Sequence, residues 1–338
     1  MKKMDLDNKT ILVTGSLGFI GSSLINKLCT TNKNIKVLGL DILDTNNPRK
    51  LKLDRLSKLN TFSSYKFING TVSNKDLIFK IFSENKIDIV VNLAAKVGNK
   101  YAKTNPDIYI DTNINGFYNI LEACKNYNVN NLIYASSASV YGNSLNTPFK
   151  EEDEIVEIND LYGATKKNNE IMAYTYSNLF NINTIGLRMF TVYGPGSNPN
   201  MAYNDFVNKL INKEDIEIYN DGDIKRDFIY IDDVVDIIIK MMKSFPDSNY
   251  NIYNICNNKE VSLLDFIKLL KDNLIKEKLI KEDYNLNSII KIKNKSINDI
   301  PITLGDNTKL IKDYKYSQKV SLEKGVEEYI KWYKEYYQ

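Results

Sequence analysis

The pattern that most constrains this chain lies near its start. Thr10 to Thr14 (TILVT) is a short β-branched run, followed at once by Gly15-Ser16-Leu17-Gly18-Phe19-Ile20-Gly21 and then by helical spacing to Leu28. Glycines at such a junction permit a tight strand-to-helix turn, let backbone amides approach an anion, and let the helix pack on the sheet; the helix N-terminus favours negative charge. A turn that is merely tight would read the same way. The second run, Ile35 to Leu40, however, ends in Asp41, about 20 residues past the last glycine, where a carboxylate accepts hydrogen bonds from a ribose. Strand, glycines, helix and acid in that order predict a dinucleotide site. A carboxylate repels a 2′-phosphate and no Arg sits in the turn, so NAD is expected over NADP, with Arg49 a loop away as the one contrary sign.

The rest of the first half repeats the rhythm. Tyr65 to Asn69, Ile87 to Leu93 and Asn131 to Ser136 read as buried strands, with helical spacing between them, as from Phe19 to Leu28 and Gly116 to Tyr127. Leu161 to Phe180 and Ile182 to Leu187 add another helix and strand. This predicts an α/β fold built on a doubly wound parallel sheet. After Gly194-Pro195 the elements shorten, and a terminal helix is expected over Leu322 to Tyr336, so a smaller second lobe follows. The expected division is 1–190 and 191–338, with the chain crossing between lobes and 226–255 returning to the first.

Composition narrows the function classes. The formal charge is +3 from 45 basic and 42 acidic side chains in 338 residues, which suggests neither a nucleic-acid nor a membrane surface. No run approaches the roughly 18 apolar residues of a membrane span, and the N-terminus passes into Asp5, Leu6 and Asp7 without the apolar core of a signal peptide. Cys29, Cys124 and Cys256 lie far apart with no CxxC pair, as expected of reduced packing residues in a cytoplasmic protein. The chain has no histidine. Ser-His-Asp and Cys-His mechanisms are thereby excluded, no metal site is expected, and proton transfer near neutral pH falls to another side chain with a displaced pKa.

Tyr162-Gly163-Ala164-Thr165-Lys166 offers that side chain. The i, i+4 spacing puts phenol and ammonium on one helix face. A tyrosine titrating near ~10 is a poor base at neutral pH, and the nearby Lys⁺ together with the positive nicotinamide ring of NAD is expected to favour its phenolate. A surface Tyr-Lys pair would have the same spacing. The run Ser136-Ser137-Ala138-Ser139 nevertheless sets hydroxyls at the carboxyl edge of the sheet, where open α/β sheets bind ligands, and Ser137 is expected to hold the hydroxyl that Tyr162 deprotonates.

With these motifs in view, the chain resembles the extended short-chain dehydrogenase/reductases, and among them the UDP-glucuronate 4-epimerases. The likeness is carried by TGSLGFIG, Asn92-Leu93-Ala94-Ala95, Asn113 in DTNINGFYNILEAC, SSASVYG, LYGATKK, LRMFTVYGP, KRDFIYIDD and WYKEYY. It implies a Rossmann domain with a C-terminal substrate lobe and a homodimer formed through the helices around Gly116 to Tyr127 and Tyr162 to Phe180. Position by position it implies a catalytic trio of Ser137, Tyr162 and Lys166. The implied NAD contacts are Gly15, Gly18, Phe19, Ile20, Gly21, Asp41, Leu93, Ala94, Ala95 and Asn113, together with Tyr162 and Lys166. Lys100, Ser137, Thr191, Asn198, Tyr219 and Arg226 are the implied contacts of a UDP-sugar substrate, with Thr191 and Arg226 at the diphosphate and Tyr219 near the base.

Three positions depart from that family. Asn198 stands where the UDP-glucuronate epimerases have an Arg facing the substrate carboxylate, Lys100 where they have Arg after the NLAA strand, and Gly70-Thr71 where they have Gly-Asp. An amide does not offer the charged fork a carboxylate calls for, so a neutral UDP-hexose or a UDP-pentose of the xylose/arabinose kind is expected. A sugar-nucleotide 4,6-dehydratase or decarboxylase shares the fold and the Tyr/Lys pair, but those enzymes carry an acid where Ala138 and Ser139 stand. A non-catalytic dinucleotide sensor is the rival from another class, and it has no use for Ser137, Tyr162 and Lys166.

Overall fold

The computed structural model describes residues 2–32, 34–43, 49–98, 102–155, 157–294 and 300–338. Its β-branched runs form the strands β1 (Thr10–Thr14), β2 (Lys36–Asp41), β3 (Tyr65–Asn69), β4 (Ile89–Asn92), β5 (Asn131–Ser137) and β6 (Asn183–Met189). Between them lie the helices α1 (Phe19–Thr31), α2 (Arg49–Leu59), α3 (Lys75–Glu84), α4 (Gly116–Asn126) and α5 (Leu161–Phe180). With a seventh strand, Tyr250–Ile255, the sheet order is Tyr250–Ile255, β6, β5, β4, β1, β2, β3. The registers from β3 to β6 are all parallel. Strand order reverses between β1 and β4, which is where a doubly wound sheet opens a crevice at its carboxyl edge.

Strands buried on both faces explain the near-continuous apolar runs. Leu12, Leu38, Val90 and Leu132 from four strands pack with Ile78 and Phe82 of α3 and Phe117, Ile120 and Leu121 of α4 in one fully buried cluster. Each such side chain contributes roughly 1.5–3 kcal/mol of burial. The helix α5 departs from this pattern. Its inner face is largely polar, with Thr165, Lys166, Asn169, Glu170 and Ser177 buried, while Ile171, Tyr174 and Leu179 are exposed. Asp160 starts this helix by accepting the Gly163 amide at 2.6 Å.

The chain forms two compact units, Met1–Gly142 with Glu154–Met189 and Val235–Tyr253, and Asn143–Asp153 with Phe190–Val234 and Asn254–Gln338. In the second, the strand Lys225–Tyr230 is flanked in parallel by Thr191–Tyr193 and Ile302–Thr303 and antiparallel by Glu260–Ser262. Phe228 stacks on Phe266 at 4.2 Å, Tyr193 and Tyr203 meet this pair edge-on, and Tyr329 meets Tyr203 edge-on. Buried Asp227 accepts the amides of Asn257 (2.8 Å), Lys259 (3.3 Å) and Gly305 (3.4 Å). Burial nevertheless pushes its carboxyl up to about 7. Cys29, Cys124 and Cys256 are free thiols, and no helix among the described residues is long and apolar enough to cross a membrane.

Candidate active site

The glycine turn leaves the end of β1 with Gly15 at φ +67°, a left-handed conformation. A Cβ there would sit 2.9 Å from the Ala94 amide nitrogen, and one on Gly21 would sit 2.2 Å from the Gly15 carbonyl. Only glycine keeps this cradle open, with Phe19 and Ile20 half-exposed where α1 begins. Thr14 closes the other wall: its Oγ1 donates to Asn92 Oδ1 at 2.6 Å and accepts the Ala94 amide at 3.1 Å. Leu93, Ala94 and Ala95 are thereby fixed beside the turn. A bare backbone cradle at a helix N-terminus fits a dinucleotide pyrophosphate.

Asp41 stands at the end of β2 as the sequence leads one to expect. Its Oδ2 accepts the Leu17 amide at 2.8 Å, which ties the acid to the glycine turn itself. Its Oδ1 accepts the Ile42 amide and Lys52 Nζ, each at 2.7 Å. Lys52 went unnoticed in the sequence, where Arg49 drew attention instead. Arg55, one turn further along α2, donates to the Leu17 carbonyl at 2.6 Å. The Asp41 carboxylate is thus already paired with a lysine, and Arg55 bonds the adjoining turn at Leu17.

Asn113 lies in a π-helical turn, Ile110–Asn115, that leads into α4. Its side chain bonds both backbone groups of Lys96 (2.8 and 3.0 Å) and Thr165 Oγ1 (3.0 Å), and its carbonyl accepts Asn169 Nδ2 at 2.9 Å. It therefore joins the segment after β4 to the inner face of α5.

Ser137, Tyr162 and Lys166 come together. Lys166 Nζ lies 5.8 Å from the Tyr162 ring centre and donates to the Ala135 carbonyl at 2.9 Å. Ser137 Oγ accepts the Ser139 amide at 3.1 Å, donates to Ser139 Oγ at 3.2 Å, and lies near enough to the Tyr162 phenol to favour its ionisation. In the protein alone the phenolate is not favoured. Desolvation pushes the Tyr162 phenol up to about 12, more than the nearby Ser137 hydroxyl pulls it down. Burial also lowers Lys166 to about 8, which leaves the ammonium largely charged at neutral pH but weakens the cation that was to help. A positive charge brought beside the phenol would favour its ionised form.

Beneath this trio lies a cluster not singled out in the sequence. Arg188 of β6 grips Glu170 of α5 with both ends of its fork (2.9 and 3.0 Å) and reaches Tyr141 Oη at 2.9 Å. Ser136 Oγ donates to Glu170 Oε1 at 2.7 Å. Burial works against it, yet the Arg188 bonds hold the Glu170 carboxyl below its ordinary value.

The remaining expected residues belong to the second unit. Thr191 pairs with Phe228 across adjacent strands, and Arg226 Nη1 donates to the carbonyls of Lys225 (2.8 Å) and Pro301 (3.2 Å). Tyr219 is half-buried, with its hydroxyl on Glu217 at 3.1 Å. Asn198 shapes its own loop: Oδ1 accepts the Asn200 amide at 3.1 Å, and its carbonyl accepts Asn204 Nδ2 at 2.7 Å. Lys100 lies outside the described residues.

Fold, glycine cradle and ribose acid together define a Rossmann-type dinucleotide enzyme that uses NAD. The model of the NAD dependent epimerase/dehydratase family matches residues 11–256, and the chain belongs to that family. Protein CapI of Staphylococcus aureus is 38% identical over 343 residues, covering 97% of this chain and 99% of the relative. UDP-glucuronate 4-epimerase 4 of Arabidopsis thaliana is 32% identical, covering 97% and 76%. The solved structure of UDP-glucuronic acid 4-epimerase from Bacillus cereus, in complex with UDP-glucuronic acid and NAD, matches with a TM-score of 0.86 at 29% identity, covering 97% of this chain and all of that one.

Proposed function

We propose that the protein inverts C4 of a UDP sugar through a transient 4-ketone, with Tyr162 moving the proton. The observation that carries this reading is the meeting of Ser137, Tyr162 and Lys166 on β5 and α5, whose carboxyl-edge placement beside the glycine turn suits a sugar hydroxyl. Bound NAD supplies hydride acceptance and return and brings a positive ring. Gly15, Gly18 and Gly21 hold its pyrophosphate and Asp41 its ribose, with Phe19, Ile20, Leu93, Ala94, Ala95 and Asn113 along its length. Ser137 holds the C4 hydroxyl, Tyr162 Oη takes its proton and later gives it back, and Lys166 orients the ring while its charge opposes the desolvation of the phenolate. No net oxidant is consumed. Thr191 and Arg226 take the diphosphate, Arg226 as a guanidinium on phosphate oxygens, and Tyr219 lies towards the base.

For the sugar, Asn198 supports a neutral hexose or pentose. Its Oδ1 is committed to the Asn200 amide, which leaves one amide donor and no charge to meet a carboxylate. Burying an unpaired carboxylate costs several kcal/mol, on the order of a desolvated ion's penalty. The likeness to UDP-glucuronate 4-epimerases supports glucuronate as the second reading. Incubation with UDP-glucose, UDP-xylose, UDP-N-acetylglucosamine and UDP-glucuronate, followed by chromatography of mass-neutral products, decides. Faster turnover of UDP-glucuronate overturns the argument from Asn198, and no 4-epimer from any of them overturns the epimerase reading.

A further inference from the structure

A helix that buries a lysine, an asparagine and a glutamate uses its inner face for something other than apolar packing. Lys166 and Asn169 are accounted for by Ala135 and Asn113. Glu170 is one turn beyond Lys166 and two turns, roughly 12 Å, beyond Tyr162 along the helix axis. Its partner Arg188 comes from β6, where it stands opposite Ser136, one residue before Ser137. Glu170 is 1% exposed and Arg188 3%. Ion pairs this deeply buried gain little stability over well-packed apolar side chains, because desolvation offsets most of the attraction; a fixed arrangement is the benefit left to explain them.

We infer that Glu170 and Arg188 form a positioning clamp that sets the axial register of α5 against β5, and thereby the meeting of Tyr162 with Ser137. Bonds from β5, β6 and the turn after Ser137 converge on it, and Lys167 of α5 itself lies 3.5 Å from Glu170 Oε2. The bidentate fork locks α5 to β6, since a shift of α5 by even a fraction of a turn breaks both of its bonds. Ser136 Oγ draws β5 to the same carboxylate. Tyr141 Oη ties in the helical turn Ala138–Tyr141 that leaves Ser137, and the Ser139 amide in that turn holds Ser137 Oγ. Tyr162 is thus fixed from below through α5, and Ser137 from both sides, by one buried pair that touches neither substrate nor cofactor.

The inference rests on Tyr162 as the proton carrier, and it can be read with and without turnover. Glu170→Gln and Arg188→Lys keep the volume and lose the charged fork. Misplacement of this kind costs about 10²-fold in kcat, with KM little changed. A displaced Ser137 hydroxyl no longer supports the phenolate, so the rising limb of the kcat–pH profile moves upward, by about one pH unit. Exchange of the Ser139 amide, followed by mass spectrometry, speeds up about tenfold. Ser136→Ala and Tyr141→Phe each remove a single bond, are expected to fold, and shift all three readouts in the same direction by less. Val326→Ala, a buried cavity in the helix Leu322–Tyr337, serves as the control that lowers Tm while leaving limb and exchange unmoved. Glu170→Gln and Tyr141→Phe variants that lose Tm alone, with kcat, limb and Ser139 exchange as in the wild type, overturn the clamp. Should Glu170→Gln not fold, the two single-bond variants decide it by the same readouts. If Tyr162→Phe keeps its activity while Glu170→Gln still speeds Ser139 exchange, the proton-carrier reading has failed and the clamp stands.

Discussion

Tyr162 and Lys166 are legible from their spacing, but their protonation is not. Spacing shows that a phenol and an ammonium share a face; it says nothing of how much water the surrounding protein removes, and burial drives both away from their charged forms. Two expectations follow. Tyr162→Phe loses activity by ~10²–10⁴, typical of a general acid–base group, while the denatured protein still releases NAD; a variant with near wild-type turnover means another group carries the proton. Lys166 has a folded pKa of about 8 against an ordinary 10.5, so the unfolded chain binds that proton more tightly. Its burial therefore costs stability below about pH 8, and the cost fades as pH rises towards 10.5. Compared with wild type, Lys166→Met should lose relative stability as pH rises through this window, by on the order of 3 kcal/mol in all. Urea melts of the two apo proteins from neutral pH to about 10 measure this, and a constant difference refutes it. Lys52, by contrast, was not legible at all. Its meeting with Asp41 depends on how α2 returns over the sheet, which no local pattern in a lysine-rich segment encodes.

At the level of elements, β-branched runs mark the strands well because a parallel sheet covered on both faces demands them. The π-helical turn at Ile110–Asn115 left no such mark, since one extra residue per turn barely alters apolar spacing. Glu170–Arg188 is hidden for a different reason: the two residues meet only once β5 and β6 are in register. The start of α5 is the most testable junction. Asp160 caps it through the Gly163 amide, within three residues of Tyr162. Asp160→Ala is expected to cost about 1 kcal/mol of stability, typical of an N-cap. Denaturant melts check this, and an unchanged midpoint would mean the helix start is held by its packing alone.

Across the whole molecule, the exposed faces of α4 and α5 carry Tyr118 (41%), Ile171 (56%), Tyr174 (55%) and Leu179 (67%). Side chains of this size gathered on neighbouring helices suit a partner surface, and we propose that a second copy of the chain covers them. Light scattering should then give a dimer, converted towards monomer by Ile171→Arg with Leu179→Arg; a monomeric wild type rules the proposal out. The sheet also has an order of arrival. About 60 residues separate the end of β6 at Met189 from Tyr250, where its outer neighbour begins. At translation rates of roughly 5–20 residues per second, a nascent chain holds β6 as an unpaired edge for several seconds. An open edge is a template for pairing with other chains. While it waits, β6 carries Arg188, a charge that would be costly to bury in any intermolecular sheet.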